Sequence, residues 1–201
     1  LYRGAIGAVG LIGHLPVASE PVGTLDGLAG TEMVLREGQK AAEAGSSPRL
    51  REIFDRTGVI TVNDVCQSAQ MGDIPSIDII SKSGHRIGET IATLTNMLNP
   101  ELVVLSGDLA QSNDILLAAV REKLYRAAHP LATRDLHITR SQMGGSASLI
   151  GAGQIAVEAL FELQTLRQWV DLGSPVLHPI FADNSDSTPA TTLAGRDEQE
   201  R

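Results

Sequence analysis

Residues 99–107 read Asn-Pro-Glu-Leu-Val-Val-Leu-Ser-Gly, and they give the clearest indication of fold class. Pro100 cannot continue a helix, because it lacks an amide hydrogen and its ring clashes with the preceding turn. The helical spacing of isoleucine and leucine over 75–98 must therefore end here. The run of leucine and valine over 102–105, closed by a glycine, predicts a buried strand of the parallel type. A long helix followed by such a strand indicates an α/β fold.

Elements of the same two kinds are predicted on both sides of this stretch. Apolar residues at helical spacing predict helices over 31–44, 48–56, 112–128 and 146–166, and another that begins at Thr61. Short strands are predicted over 12–17 and 136–139. The alternation of helix and strand along the chain again predicts an α/β layout.

The composition changes near Leu172, where proline, serine and charged residues replace the apolar pattern. Such a segment has little apolar surface to bury. We therefore expect a folded domain over residues 1–172 and a polar C-terminal tail over residues 173–201. The first ten residues resemble the middle of a glycine-rich loop, so we expect the chain to be a fragment of a longer protein.

Charge and cysteine content argue against several kinds of site. The 201 residues carry a formal net charge of -8, whereas nucleic-acid affinity rests on clustered lysine and arginine. Any DNA contact is therefore expected from an upstream domain that is absent here. The single cysteine, Cys66, excludes an internal disulfide and a multi-cysteine zinc cage, and its apolar neighbours predict a small buried side chain.

Nothing in the sequence predicts a membrane or secretory segment. No apolar stretch approaches the roughly 20 residues that a spanning helix needs. The N-terminus lacks the charged and apolar regions of a signal peptide. We expect a soluble, cytoplasmic protein without membrane contact.

Three motifs together resemble the ROK family, which comprises repressors, open reading frames and kinases. The first motif is Gly-Leu-Ile-Gly-His at residues 10–14, and the second is the strand and glycine turn at 99–107. The third is the glycine-rich helix start at 144–153. Their order and spacing fit the family across roughly residues 3–163. The resemblance implies the C-terminal lobe of an actin-like, ribonuclease H-like sugar-kinase fold, truncated at its N-terminal strands. The catalytic base and the first phosphate loop would belong to the absent N-terminal lobe.

The resemblance also shows where the family's site chemistry is missing. Active members hold sugar hydroxyls with a glutamate at the position of Leu11, and zinc-binding members combine the histidine, kept here as His14, with three cysteines. Those three positions hold Thr24, Asp26 and Thr31, which do not form a tetrahedral zinc site. We therefore expect no bound metal and no cofactor.

The family's second sugar-binding glutamate corresponds to Met33, with Glu32 one residue away. The resemblance thus leaves a degenerate sugar site of His14 and Glu32. It also places nucleotide-side turns at the residues Gly107, Asp108, Gly145 and Ser146. Simpler interpretations stay open, because His14 could be a hydrogen-bonded structural residue and both glycine turns could be ordinary chain reversals.

Two functions of different classes follow from the resemblance. The first is a sensory or oligomerisation domain of a transcriptional regulator, a repressor of sugar-related genes that responds to a sugar effector and forms a homodimer or higher oligomer. The alternative is an ATP-dependent kinase of a hexose or N-acylhexosamine, active only in full-length form. A purely structural pseudokinase is a third interpretation. No residue of this chain is predicted to be catalytic.

Overall fold

The computed structural model describes residues 4–6, 8–17, 23–112 and 114–173. The chain divides into two units, residues 1–145 and 146–201. The predicted tail lies outside the described residues, apart from Gly173 at its start. The boundary expected between residues 172 and 173 stays a prediction.

The elements follow one another in the order expected of an α/β chain. The helices are α1 (Leu25–Ala29), α2 (Thr31–Glu43), α3 (Pro48–Thr57), α4 (Val62–Gln70), α5 (Ile74–Leu98), α6 (Asp108–Ser112), α7 (Asp114–Ala127), α8 (Pro130–Thr133), α9 (Ala147–Leu160) and α10 (Leu163–Leu172). The strands are β1 (Pro16–Val17), β2 (Gly23–Thr24), β3 (Leu102–Leu105) and β4 (His137–Arg140).

Helix α5 confirms the expectation from its flanking residues. Its N-cap is Asp73, whose carboxylate accepts a hydrogen bond from the backbone N–H of Ser76 at 3.1 Å. Its C-cap is Asn99, which adopts the left-handed conformation with φ 44°. Asparagine tolerates this conformation better than most residues, and the proline that follows prevents further helix. The boundary is therefore set locally.

Strands β3 and β4 are parallel neighbours, with Leu102 opposite His137 and Leu105 opposite Arg140. Parallel pairing confirms the predicted strand type, but the predicted burial of β3 is wrong. Leu102 and Val104 are about half exposed, whereas Val103 and Leu105 are partly buried. Only one face of the strand packs against the core of this unit, so its burial alternates.

The predicted strand over 12–17 is also wrong for most of its length. Ile12–His14 form a 3₁₀ turn, in which the N–H of Leu15 donates to the carbonyl of Ile12 at 3.0 Å. Only Pro16–Val17 are extended, and they pair antiparallel with β2. Gly10, with φ 87°, lets the chain reverse just before the turn.

The predicted helix over 146–166 is interrupted in the second unit. Helix α9 ends at Leu160, and Glu162 adopts extended backbone with ψ 140° before α10 begins. Phe161 contacts Trp169 edge to face at 6.2 Å between ring centroids, which holds the two helices of this unit against each other.

The core of the first unit lies among α2, α3, α4, α5 and α7, and β4 adds Ile138 to it. Its fully buried apolar side chains include Val34, Leu50, Ile80 and Leu124. Cys66 is buried in the same cluster, as predicted, and burial raises the pKa of its thiol. A thiol held neutral in apolar surroundings is a poor nucleophile.

No single helix among the described residues is long and apolar enough to cross a membrane. Among these residues, the helical stretches 144–160 and 163–172 have the combined length and apolar composition of a membrane span, but their axes are bent by 54° at the break between them.

Candidate functional site

A cavity of about 320 Å³ lies where the N-terminal turn, helix α1 and the end of β3 meet. Gly13 lines it from the N-terminal turn, and Gly107 lines it from the loop after β3. Its apolar walls include Leu25, Ala29, Ile87, Leu109 and Leu116, and its polar groups are Asp26, Thr31, Ser106 and Asp108. Apolar walls with a few converging polar groups are typical of a small-molecule site.

The carboxylate of Asp26 lies directly against the backbone of Gly13. A Cβ atom at position 13 would lie only 2.2 Å from Asp26 Oδ2, so a side chain there would displace the carboxylate. Asp26 is exposed, and its carboxylate accepts no hydrogen bond from any residue that the structure describes. Its oxygens are therefore open to a ligand that donates hydrogen bonds.

The loop after β3 supplies the opposite wall. Gly107 adopts φ 101°, a region that favours glycine, and a Cβ there would meet no described atom within 4 Å. Its carbonyl accepts a hydrogen bond from the N–H of Gln111 at 3.0 Å, which joins the turn to helix α6. Asp108 follows as the first residue of that helix. Glycine is thus required here by backbone conformation rather than by crowding.

The two residues predicted to bind sugar do not line this cavity. His14 is exposed at the end of the 3₁₀ turn, and Glu32 is exposed in the first turn of α2. The predicted nucleotide-side residues Gly107 and Asp108 do line it. The binding roles of all four residues stay predictions.

Gly145 and Ser146 stand at the division between the two units. Ser146 is the N-cap of α9, but its side chain makes no capping hydrogen bond. Neither residue lines the cavity beside Gly13 and Gly107. Their predicted role beside a nucleotide also stays a prediction.

The two positions that the family resemblance aligns with sugar-binding glutamates have very different surroundings here. Leu11 is 65% exposed, whereas Met33 is only 6% exposed and belongs to the main core. A carboxylate at position 33 would therefore be largely desolvated. Glu32, its neighbour, faces solvent.

The positions that the family resemblance aligns with zinc-binding cysteines have structural roles here. The hydroxyl of Thr24 accepts a hydrogen bond from the N–H of Gly27 at 3.3 Å and caps helix α1. Asp26 lies in the first turn of that helix, and Thr31 begins α2. Within the described part of the chain, no three histidine, cysteine, aspartate or glutamate residues are grouped to hold a metal ion.

The place of Asp26 in the cavity is not predicted by the sequence, in which this residue only stands where zinc-binding relatives would carry a cysteine. The signal available was local: Thr24 followed by Asp26 predicts a capped helix start with an acid in the first turn. That pattern gives the helix but does not reveal that its acid reaches the glycine of the preceding motif.

Two further histidines, His85 and His129, have ordinary structural roles. His129 caps α8, because its Nδ1 accepts a hydrogen bond from the N–H of Leu131 at 3.2 Å. His85 Nε2 lies 3.3 Å from a carboxylate oxygen of Glu122, which connects α5 with α7. This interaction lowers the pKa of Glu122.

Replacing Gly13 with alanine is expected to move the Asp26 carboxylate at little cost in stability. The colliding group is the end of an exposed side chain, which rotates away more easily than backbone does. We expect the free energy of unfolding to fall by less than about 1 kcal/mol. In an Asp26→Ala background the same change should have no effect, so a double-mutant cycle measured by urea unfolding tests the contact. Equal effects in both backgrounds would contradict it.

The sequence model of the ROK family matches residues 1–159 of this chain, which is most of its length. This chain belongs to the ROK family. Glucokinase from Halalkalibacterium halodurans is 26% identical over 161 residues, which cover 76% of this chain and 49% of that protein. The DNA-binding transcriptional dual regulator NagC of Escherichia coli K12 is 26% identical over 169 residues, 80% of this chain and 40% of that protein. The chain thus spans about half the length of these relatives, or less.

The solved structures agree with this membership. A ROK family glucokinase from Streptomyces griseus, in complex with glucose and AMPPNP, superposes with a TM-score of 0.64 at 19% identity. The match covers 77% of this chain and 53% of that one. At such low identity the likeness concerns the fold alone, and it gives this ROK chain part of the actin-like sugar-kinase fold. The truncation at the N-terminal strands remains a prediction.

Proposed function

We propose that this ROK chain is the C-terminal lobe of a transcriptional regulator and senses a sugar-like effector instead of phosphorylating a sugar. The observation that carries the proposal is the pair of replaced glutamates. Leu11 offers no acceptor, and Met33 is buried in the core. Each sugar hydroxyl left unpaired costs about 1–3 kcal/mol, so tight and geometrically exact sugar binding at those positions is lost.

The cavity between Gly13 and Gly107 supports retained recognition of a small molecule. The open carboxylate of Asp26 can accept hydrogen bonds from ligand hydroxyls, although it does so from a different position than the replaced glutamates. A sensor needs only a difference in ligand affinity between two states, not an aligned phosphoryl acceptor. Weak binding through Asp26 is sufficient for that role.

The charge of the chain fits a regulator whose DNA contacts lie elsewhere. A formal net charge of -8 is unsuited to direct contact with phosphates. We propose that a DNA-binding domain precedes this lobe and that the upstream segment also contains the remaining strands of the lobe. We further propose that the protein acts in the cytoplasm as a homodimer or higher oligomer. Family relatives with DNA-binding names, NagC among them, support this assignment.

The second candidate is an ATP-dependent sugar kinase. The glucokinase relative and the glycine turn after β3 favour it, because that turn lines the same cavity as Asp26. Phosphoryl transfer, however, depends on positioning the acceptor and on stabilising charge from both sides of a cleft. This chain carries leucine and methionine at the two positions that the resemblance aligns with sugar-binding glutamates, which disfavours an aligned acceptor.

A coupled assay of ADP release separates the two functions. With ATP and glucose, N-acetylglucosamine or xylose, we expect no turnover from the 201-residue chain and none from the full-length protein. Calorimetry on the full-length protein should nevertheless detect one of these sugars with a Kd near 1 mM or below, and Asp26→Ala should abolish that heat. Turnover by the full-length protein would establish the kinase instead. Absence of both turnover and binding would leave a structural pseudokinase.

A further inference from the structure

A second cavity, of about 640 Å³, lies between helices α2 and α5. Four basic side chains line it: Arg36, Lys40, Lys82 and Arg86. It shares no lining residue with the cavity beside Gly13 and Gly107. Whatever it binds is therefore separate from the proposed sugar-like effector.

The arrangement of the four cations follows from helix geometry. Arg36 and Lys40 are four residues apart on α2, and Lys82 and Arg86 are four residues apart on α5. Residues at this spacing lie on the same face of a helix, one turn apart. Each wall of the cleft thus presents one guanidinium and one ammonium group.

The cleft carries a positive charge within an acidic chain. Its carboxylates are Glu37 and Asp78, so four cations and two anions leave a formal charge of about +2 when all six are ionised. A hydrogen bond from Lys40 lowers the pKa of Glu37, which keeps that carboxylate ionised at neutral pH. The chain as a whole carries -8. Its sequence contains only three lysines, and two of them line this cleft, so the cluster is not the product of a generally basic surface.

The internal ion pairs of the cleft leave donors for a ligand. Glu37 Oε1 lies 3.0 Å from the ammonium of Lys40 and 3.3 Å from Arg36 Nε. Lys82 pairs with Asp78 at 2.6 Å. An ammonium group has three donors and a guanidinium has five, so each single contact leaves further N–H groups available. Exposed pairs of this kind contribute about 0–1 kcal/mol and yield readily to a stronger anion.

The floor of the cleft is apolar. Leu28, Met33, Ala41 and Ile79 line it and are buried. A volume of about 640 Å³ lies within the usual range for small-molecule sites, about 300–1,000 Å³. An apolar floor below a cationic rim fits a compact anion attached to an organic body.

We propose that this cleft binds a small phosphorylated molecule, a phosphate monoester whose organic part rests on the apolar floor. A phosphate monoester carries a charge of about -1.5 to -2 at neutral pH, which offsets the charge of the cleft. Guanidinium groups bind phosphate oxygens in a bidentate manner, and ammonium groups add point charges. The site gives this chain an anionic ligand in addition to its proposed effector.

Calorimetry with inorganic phosphate and with phenyl phosphate tests the site, with sodium chloride at equal ionic strength as background. We expect both to bind and phenyl phosphate to bind more tightly, because only the ester covers the apolar floor. The variant Lys40→Gln/Lys82→Gln removes one cation from each wall and should weaken binding about tenfold or more. Both lysine side chains are more than half exposed, so the fold should be retained.

The matched control is Arg49→Gln/Arg56→Gln on helix α3. Both arginines are exposed and lie outside the cleft, and the double change alters the net charge equally. We expect it to change affinity by less than about twofold. Equal weakening of binding in the two double variants would show that the effect comes from net charge and not from the cleft. Absence of phosphate binding to the parent chain would overturn the proposal. Tighter binding of a phosphoserine peptide than of phenyl phosphate would assign the cleft to a protein partner instead.

Discussion

Replacing Gly88 with alanine is expected to destabilise this chain by about 2 kcal/mol, although the same change usually stabilises a helix interior by about 1 kcal/mol. Gly88 lies at the contact between α5 and α7, where a Cβ would lie 2.6 Å from the backbone oxygen of Val120. A backbone atom cannot rotate away, so the two helices must separate. A Cβ at Gly84, one turn earlier, would likewise collide with the side chain of Ala119 and the backbone oxygen of Leu116. Urea unfolding followed by circular dichroism measures the loss.

Gly27→Ala is the matched control for this prediction. Gly27 also lies in a helix of the first unit, but a Cβ there would make only an ordinary contact, 3.4 Å from the hydroxyl of Thr24. We expect this change to be neutral or stabilising by up to about 1 kcal/mol. The two alanine substitutions should thus have opposite signs. A stabilising Gly88→Ala would show that α5 and α7 do not approach so closely.

The fold could be predicted from the sequence where local chemistry decides it. The end of α5 depends on Asn99 and Pro100, and the turn after β3 depends on a glycine with positive φ. Both causes lie within a few residues of their effect. The break between α9 and α10 has no such marker, because neither Phe161 nor Glu162 is a residue that normally ends a helix.

The candidate site could be predicted only in part, for the same reason. The motif at residues 10–14 and the turn at Gly107 are visible in the sequence, but the proximity of Asp26 to Gly13 depends on how α1 packs against the preceding turn. The strand predicted over 12–17 fails similarly. Its apolar residues have the composition of a strand, whereas the reversal at Gly10 starts a 3₁₀ turn. Sequence patterns give the residue types of a site more readily than their contacts.

Restoring the family's second glutamate by Met33→Glu is expected to destabilise the chain by at least about 3 kcal/mol. Met33 is 6% exposed and lies in the main core cluster, on the floor of the cleft between α2 and α5, so the new carboxylate would lose most of its water, and the basic groups of the rim would offset only part of that cost. Met33→Leu should cost less than about 1.5 kcal/mol, because it nearly conserves apolar volume. The difference between the two variants in urea unfolding isolates the penalty of burying the charge.

Leu11→Glu restores the family's first glutamate and serves as the contrast. Leu11 is 65% exposed, so the substitution should change the free energy of unfolding by no more than about 0.5 kcal/mol. The two positions that the family resemblance aligns with sugar-binding glutamates therefore differ in kind: position 11 is exposed, whereas position 33 lies in the core. A Met33→Glu variant that unfolds at the same urea concentration as the parent would mean that position 33 tolerates a carboxylate, through solvent or through the basic groups of the cleft between α2 and α5. In that case a sugar-binding glutamate would be compatible with this fold, which would favour the kinase over the regulator.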